Sequence, residues 1–365
     1  MAALPALGSR LARQWDLTFA GEPFRHGYSS VVLSVRQGGR PLALKLTWPP
    51  GQAGGEADAL AAWRARGVVE LVAADKPRGA LLLERLDASR SLASIPLAEA
   101  AATAGALMRT LAVEAPQSFP SLQAAARQLA ATFAARQRWL RNPVPGQWVT
   151  LAARLAADLA RDPARCLVHT DLHYDNILAS DRPGQQWVAI DPTAAVGPPE
   201  RSVAEMLWTR ADELPGPQAI TGLLGTLVDN GQLDPAKAVA WGFVRTIDYW
   251  LWGLENGLTS HPLRCQRIAH ALAPMAEQSN LPHKHLSNIG CHEPFRRPPR
   301  PGQLSTRPGI MCQRRLLTAG QSIGSSTIDW HGTSAGAGRA EPGRSRRRPP
   351  PAGRGRARPA WSWPG

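Results

Sequence analysis

The chain of 365 residues is 44% hydrophobic and carries a formal net charge of +14, enough apolar content for two lobes or modest domains and too much for a wholly disordered polypeptide. Such a charge would suggest a nucleic-acid or membrane partner. However, residues 283–365 hold fourteen arginines and one lysine against Glu293, Asp329 and Glu341, which places +12 there and leaves only +2 for residues 1–282, so basicity is no guide to what the folded part does.

In chain order, Leu7 to Trp15 reads as a short amphipathic turn with a packing role. Phe24-Arg25-His26-Gly27-Tyr28-Ser29-Ser30 precedes the β-branched run Val31 to Val35, a turn and then a strand. A segment rich in small residues can cover phosphates, and an ordinary hairpin accounts for it equally well. Lys45 interrupts the apolar strand Pro41 to Leu46, and a lysine there needs an anionic partner. Glu56 is the candidate, because it opens a helical pattern entered through Gly54-Gly55 whose Leu60 and Trp63 direct one face inward. The alternative is a carboxylate that only favours a helix N-terminus.

Val68 to Val72 and Gly79 to Leu83 read as strands around a turn at 75–78, and the exit through Glu84-Arg85-Leu86 suits a connection between lobes. From residue 97 the character changes to Ala-, Leu- and Arg-rich helices over Leu97 to Ala112, Leu122 to Arg141 and Trp148 to Arg161. Further helices are expected over Glu200 to Arg210, Ile220 to Asn230 and the aromatic stretch Trp241 to Leu254. Their apolar stripes are read as core.

Between these helices lies His169-Thr170-Asp171-Leu172-His173-Tyr174-Asp175-Asn176, flanked by strand-like Cys166 to Val168 and Ile177-Leu178, with Trp187 to Ile190 leading into Asp191-Pro192. Asp171 can accept a proton, Asn176 offers a neutral carbonyl, and Asp191 adds a second carboxylate after a strand. Magnesium favours one or two carboxylates plus substrate phosphates, so Asn176 and Asp191 are suitable ligands and Asp171 is left as base. That is a parts list for phosphoryl transfer from a Mg-nucleotide. A single His-x-Asp in a turn usually satisfies nearby amides. The full spacing with the downstream Ile-Asp-Pro carries the reading.

With Ala43-Leu44-Lys45, Glu56 and Leu81 to Leu86, these motifs make residues 15–280 resemble the aminoglycoside phosphotransferase group of the kinase-like fold, most of all the streptomycin 6-kinase and hydroxyurea phosphotransferase family. Asp191-Pro192 stands in place of the Asp-Phe-Gly of protein kinases. The resemblance implies an α+β, protein-kinase-like fold: a small β-rich nucleotide-binding lobe (1–86), a helical lobe (87–282) with catalytic loop and acceptor site, and a Pro/Gly/Arg-rich tail (283–365). It also implies transfer of the γ-phosphate of ATP to an alcohol group of an aminoglycoside-type antibiotic. In that frame Asp171 is the base, His169 orients the loop, and Asn176 and Asp191 hold Mg2+. Lys45, steadied by Glu56, holds phosphate, with Gly27, Ser29 and Ser30 over the phosphates and Glu84 at the hinge where an adenine would sit.

A cationic, hydroxylated small-molecule substrate would call for carboxylates, and Glu205, Asp212, Glu213, Asp248 and Glu255 are candidates. The alternatives are a metabolite kinase of the same fold, acting on a sugar, choline or an amino alcohol, and a nucleotide-binding protein without transfer. One departure concerns Gly197 to Ala204, which has no aspartate where the family carries one at a helix start.

The tail shows no periodicity and is expected to be disordered, an unselected extension such as an altered reading frame would give. Nucleic acid is therefore not the expected partner, although arginine runs can bind RNA electrostatically. His283, His285, Cys291 and His292 match no standard zinc spacing. Four cysteines without CxxC spacing, no signal-peptide pattern and no membrane-length apolar run lead to the expectation of a cytoplasmic protein with ordinary thiols.

Overall fold

The computed structural model describes residues 4–21, 25–26, 30–48, 52–116 and 118–279. Gly27 and Ser29, and every expectation for residues 283–365, lie outside the described residues. The chain starts with helix α1 (Leu4–Gln14), a full helix where the sequence suggested a turn. An antiparallel sheet follows, built from β1 (Thr18–Phe19), β2 (Arg25–His26), β3 (Ser30–Gln37) and β4 (Arg40–Thr47), then, beyond helix α2 (Gln52–Trp63), β5 (Leu71–Asp75) and β6 (Ala80–Glu84). Strand order is β1-β3-β4-β6-β5, with β2 on β3. Gly38 and Gly39 join β3 to β4 with φ of +52° and +85°, the left-handed pair that a two-residue hairpin turn requires.

Side chains alternate across a strand, and here the two faces are sorted by that rule. Leu42, Leu44 and Leu46 of β4 join Ala80 and Leu82 of β6 in a cluster with Leu11, Leu17 and Val35 beneath α1. Leu81 and Leu83 of β6 face the other way and pack with Ala57, Leu60 and Trp63 of α2. Lys45 shares that second face, and alternation alone puts it there.

The helical part comprises α3 (Leu97–Leu111), the short β7 (Val113–Glu114), α4 (Leu122–Trp139) and α5 (Gly146–Leu159). Next come β8 (Cys166–His169), the hairpin β9 (Ile177–Arg182) and β10 (Gln185–Ala189), and β11 (Ala194–Gly197). The chain closes with α6 (Val203–Thr209), α7 (Pro217–Gly231), α8 (Pro235–Glu255) and α9 (Ser260–Gln278). β8 lies between β7 and β11. Gly105 lets α3 approach α7 closely, since a Cβ there would lie 2.7 Å from the Leu227 carbonyl oxygen.

One apolar cluster runs from Trp63 through Leu107, Leu167 and Leu207 to Leu251 and Leu272, so the sheet lobe and the helical lobe share a core. The Trp63 indole N–H donates to the Leu111 carbonyl at 2.8 Å across them.

Several expectations shift. Gly54 and Gly55 lie inside α2 rather than before it. The strand expected at 68–72 runs from Leu71 instead, because Val68 is taken up by a parallel bridge to Ala189. A single turn, Pro199–Ser202, precedes α6. β11 and α9 were not anticipated. Cys265 is a buried free thiol, and burial pushes its pKa up to about 12. Among the described residues no helix is long and apolar enough to cross a membrane.

Candidate active site

Lys45 is 5% exposed. Its Nζ donates to Glu56 Oε1 and Oε2 at 2.9 and 2.8 Å and to Asp191 Oδ1 at 2.9 Å. Burial alone would lower its pKa, but the two carboxylates outweigh that and hold it above the ordinary lysine value. The Glu56 partnership was expected from sequence; the Asp191 contact was not. It ties the sheet lobe to the end of the β9–β10 hairpin.

Asp191 has φ +53°, the left-handed region that Asp and Asn tolerate best among residues with a Cβ. Its side chain is half exposed, and only Oδ1 is engaged by Lys45. The hairpin register pairs Ile177 with Ala189, and the Ile190 N–H donates to the Asn176 carbonyl at 2.9 Å. Asn176 and Asp191 are thereby neighbours at one end of the hairpin. The Asn176 Nδ2 donates to the Asp171 backbone carbonyl at 3.0 Å, which leaves the amide oxygen as its free group.

His169 closes β8 and is 1% exposed. Its Nδ1 accepts the Asp171 backbone N–H at 3.2 Å, so its proton sits on Nε2, which lies 3.0 Å from the Ile190 carbonyl and donates to it. Burial lowers its pKa to about 4, in keeping with a neutral ring. The imidazole thus ties the loop at Asp171 to the residue before Asp191. Burial raises the Asp171 pKa, Glu205 and Asp191 add to that, and His173 opposes it.

Two residues that the sequence reading missed support the loop from behind. Ser202 Oγ donates to the His169 carbonyl at 2.8 Å, and Arg201 reaches the Thr170 carbonyl at 3.4 Å. They stand in the turn before α6. A serine beside a helix start was the available signal.

Residues 14–257 match the family of aminoglycoside/hydroxyurea antibiotic resistance kinases. The chain belongs to this family. A hydroxyurea phosphotransferase from Kitasatospora aureofaciens is 35% identical over 277 residues, 74% of this chain and 78% of the relative. Streptomycin 6-kinases from Streptomyces glaucescens and Streptomyces griseus are 33% and 32% identical, covering 74% and 75% of this chain and 90% of each relative. Among solved structures, a thermostable mutant of aminoglycoside phosphotransferase APH(4)-Ia in ternary complex with ADP and hygromycin B superposes with a TM-score of 0.51 at 16% identity. That match covers 72% of this chain and 97% of that one, and shows the shared protein-kinase-like fold. This family member is a phosphotransferase with a β-sheet lobe and a helical lobe.

The other expected nucleotide-side residues fall unevenly. Ser30 opens β3 opposite Thr47. The Glu84 carboxylate is turned to Arg182 at 3.3 Å and to the Glu70 N–H at 3.1 Å, so its side chain anchors the lobe connection.

All five carboxylates picked for a cationic acceptor are paired with arginines. Asp212 binds Arg264 and Glu213 binds Arg210. Arg201 holds both oxygens of Glu205 at 2.7 and 2.8 Å. Arg245 bridges Glu205 and Asp248, and Arg136 bridges Asp248 and Glu255. A chain of alternating charge thus leads from the Thr170 carbonyl along α8. Beside it Trp208, Tyr249 and Trp252 stack at centroid distances of 4.4 and 5.2 Å.

Proposed function

We propose that this phosphotransferase moves the γ-phosphate of ATP to a hydroxyl of an aminoglycoside-type antibiotic, the reaction class for which its streptomycin 6-kinase relatives are named. The observation that carries the reading is the simultaneous grip of buried Lys45 on Glu56 and Asp191, beside a loop that offers Asp171 and Asn176. In this reading Lys45 binds nucleotide phosphates and Glu56 keeps it aimed. Asp171 takes the acceptor's hydroxyl proton, its raised pKa favouring that role. His169 is a positioning residue that holds the Asp171 and Asp191 segments together through its two ring nitrogens.

The residues fit a magnesium ion, which when bound would neutralise phosphate charge. Asn176 has its amide nitrogen committed and its oxygen free, and Asp191 has one oxygen beyond Lys45. Among the described residues no group of three or more His, Cys, Asp or Glu could hold a metal by itself, as suits an ion that completes its shell with phosphates and water.

The arginine pairing of every acceptor-side carboxylate favours one second reading, a small uncharged acceptor of the kind named for the hydroxyurea phosphotransferase relative. Turnover of Mg-ATP by the purified protein with streptomycin, other aminoglycosides and hydroxyurea decides between them. Asp171→Ala is expected to lower kcat with the accepted substrate by about 10²- to 10⁴-fold. Full activity in that variant would remove Asp171 as base.

A further inference from the structure

The three arginines along the acceptor side are not equivalent. Arg201 is buried and grips Glu205 with both bonds under 3 Å. Arg136 places Nε and Nη2 on Glu255, at 2.8 and 3.2 Å, and Nη1 on the Asp248 carboxylate, with Nη2 also donating to the Asp248 carbonyl. Arg245 shares both its carboxylates with these neighbours. Its Nη1 binds Asp248, it reaches Glu205 only at 3.5 Å, and its buried Nε has no hydrogen-bond partner. Its guanidinium also lies 5.8 Å from the centroid of the Trp208 ring.

We propose that Arg245 is a specificity-determining residue, a resident guanidinium in the position between Glu205 and Asp248 that the cationic group of an acceptor takes over in the complex. This rests on the reading of the chain as a kinase of a cationic, hydroxylated acceptor. A cation brought to those carboxylates has to displace one already there, and Arg245 is the one whose departure leaves no orphan. Glu205 keeps Arg201, and Asp248 keeps Arg136.

Loss of Arg201 would reduce Glu205 to its 3.5 Å contact with Arg245, and loss of Arg136 would leave Glu255 without its arginine, each costing more than a shared contact. The vacated face of Trp208 would then be open to the incoming charge. Displacement opposes the binding of cationic acceptors only, because a neutral acceptor has no charge to exchange. The self-pairing therefore sets a charge threshold on what the site accepts.

Steady-state kinetics of wild type, Arg245→Gln and Arg245→Met test this with Mg-ATP and streptomycin as the cationic acceptor. Arg245→Met keeps an apolar stem over Trp208 and guards against loss of folding in the polar variant. The expected result is a streptomycin KM lowered roughly tenfold in both variants, while the KM for ATP moves less than about twofold. A streptomycin KM that is unchanged or raised in a folded variant overturns the proposal and leaves the acceptor reading standing. No streptomycin turnover by wild type or either variant overturns both.

Discussion

At the scale of single residues, both ring nitrogens of His169 are committed. One ring nitrogen accepts from Asp171 and the other donates to Ile190, so protonation would break the first bond and bury a charge. Its pKa falls from 6.5 to about 4 on folding, which means that between those values the unfolded chain binds the extra proton. The stability due to this residue is complete above about pH 6.5 and is lost as pH falls toward 4, about 3 kcal/mol in all. His169→Gln removes that contribution. Urea unfolding between about pH 4.5 and 7 should therefore show a flatter pH dependence in the variant. Equal slopes would show that His169 titrates normally. Sequence picked out this residue by its spacing to Asp171, but not the carbonyl of Ile190 that fixes its tautomer, because backbone acceptors have no sequence signature.

At the scale of elements, the β9–β10 hairpin belongs to both lobes. The Val69 N–H donates to Ala189 and the Ala189 N–H to Gly67, at 2.9 and 2.8 Å. Arg182 at the hairpin end donates to the Ala65 and Val68 carbonyls at 2.7 and 2.5 Å and pairs with Glu84. The hairpin that presents Asn176 and Asp191 is thus fixed to the connection between lobes. Charge-assisted bonds of this kind contribute about 1.5–3 kcal/mol. Arg182→Ala should lower Tm by roughly 4–8 °C and raise the KM for ATP several-fold, read by thermal unfolding and initial rates. A variant with wild-type Tm and KM would show the clamp to be idle.

The hairpin itself was legible, because Asp181 to Gly184 is a turn between two apolar runs. Strand β11, which pairs with β8, was not, since Ala194–Gly197 has only small side chains and one valine. Its glycine is there for Leu122, whose side chain leaves a Cβ at Gly197 no room, the nearest atom being 2.6 Å away.

At the scale of the whole molecule, a single apolar cluster spans the lobes, and the Lys45–Asp191 pair crosses the cleft above it. Both lobes should therefore unfold together. Mg-ADP at about 100 times its Kd should add about 2.7 kcal/mol, and calorimetry should show one transition moving upward rather than two separating. Asp191→Asn, which keeps the left-handed turn but not the charge, should reduce the magnesium-dependent part of that shift. A shift independent of magnesium would remove Asp191 as a ligand. The two-lobed plan was legible from the change to long helices at residue 97. The acceptor side was legible only in part: Arg201–Glu205 and Arg245–Asp248 are i,i+4 and i,i+3 pairs, whereas only tertiary packing brings Arg136 to Asp248 and Glu255 and Arg245 to Glu205.

The alternation along β4 has a further consequence for how the chain finds its fold. A slip of one residue against β3 or β6 would exchange the strand's two faces, turning Lys45 into the cluster of Leu11, Leu17 and Val35 and pushing Leu44 and Leu46 out of it. The slipped sheet would have to bury an ammonium group in that apolar layer. Lys45 thereby proofreads the strand on which it sits. Only the register that delivers it to Glu56 and Asp191 survives as a stable sheet.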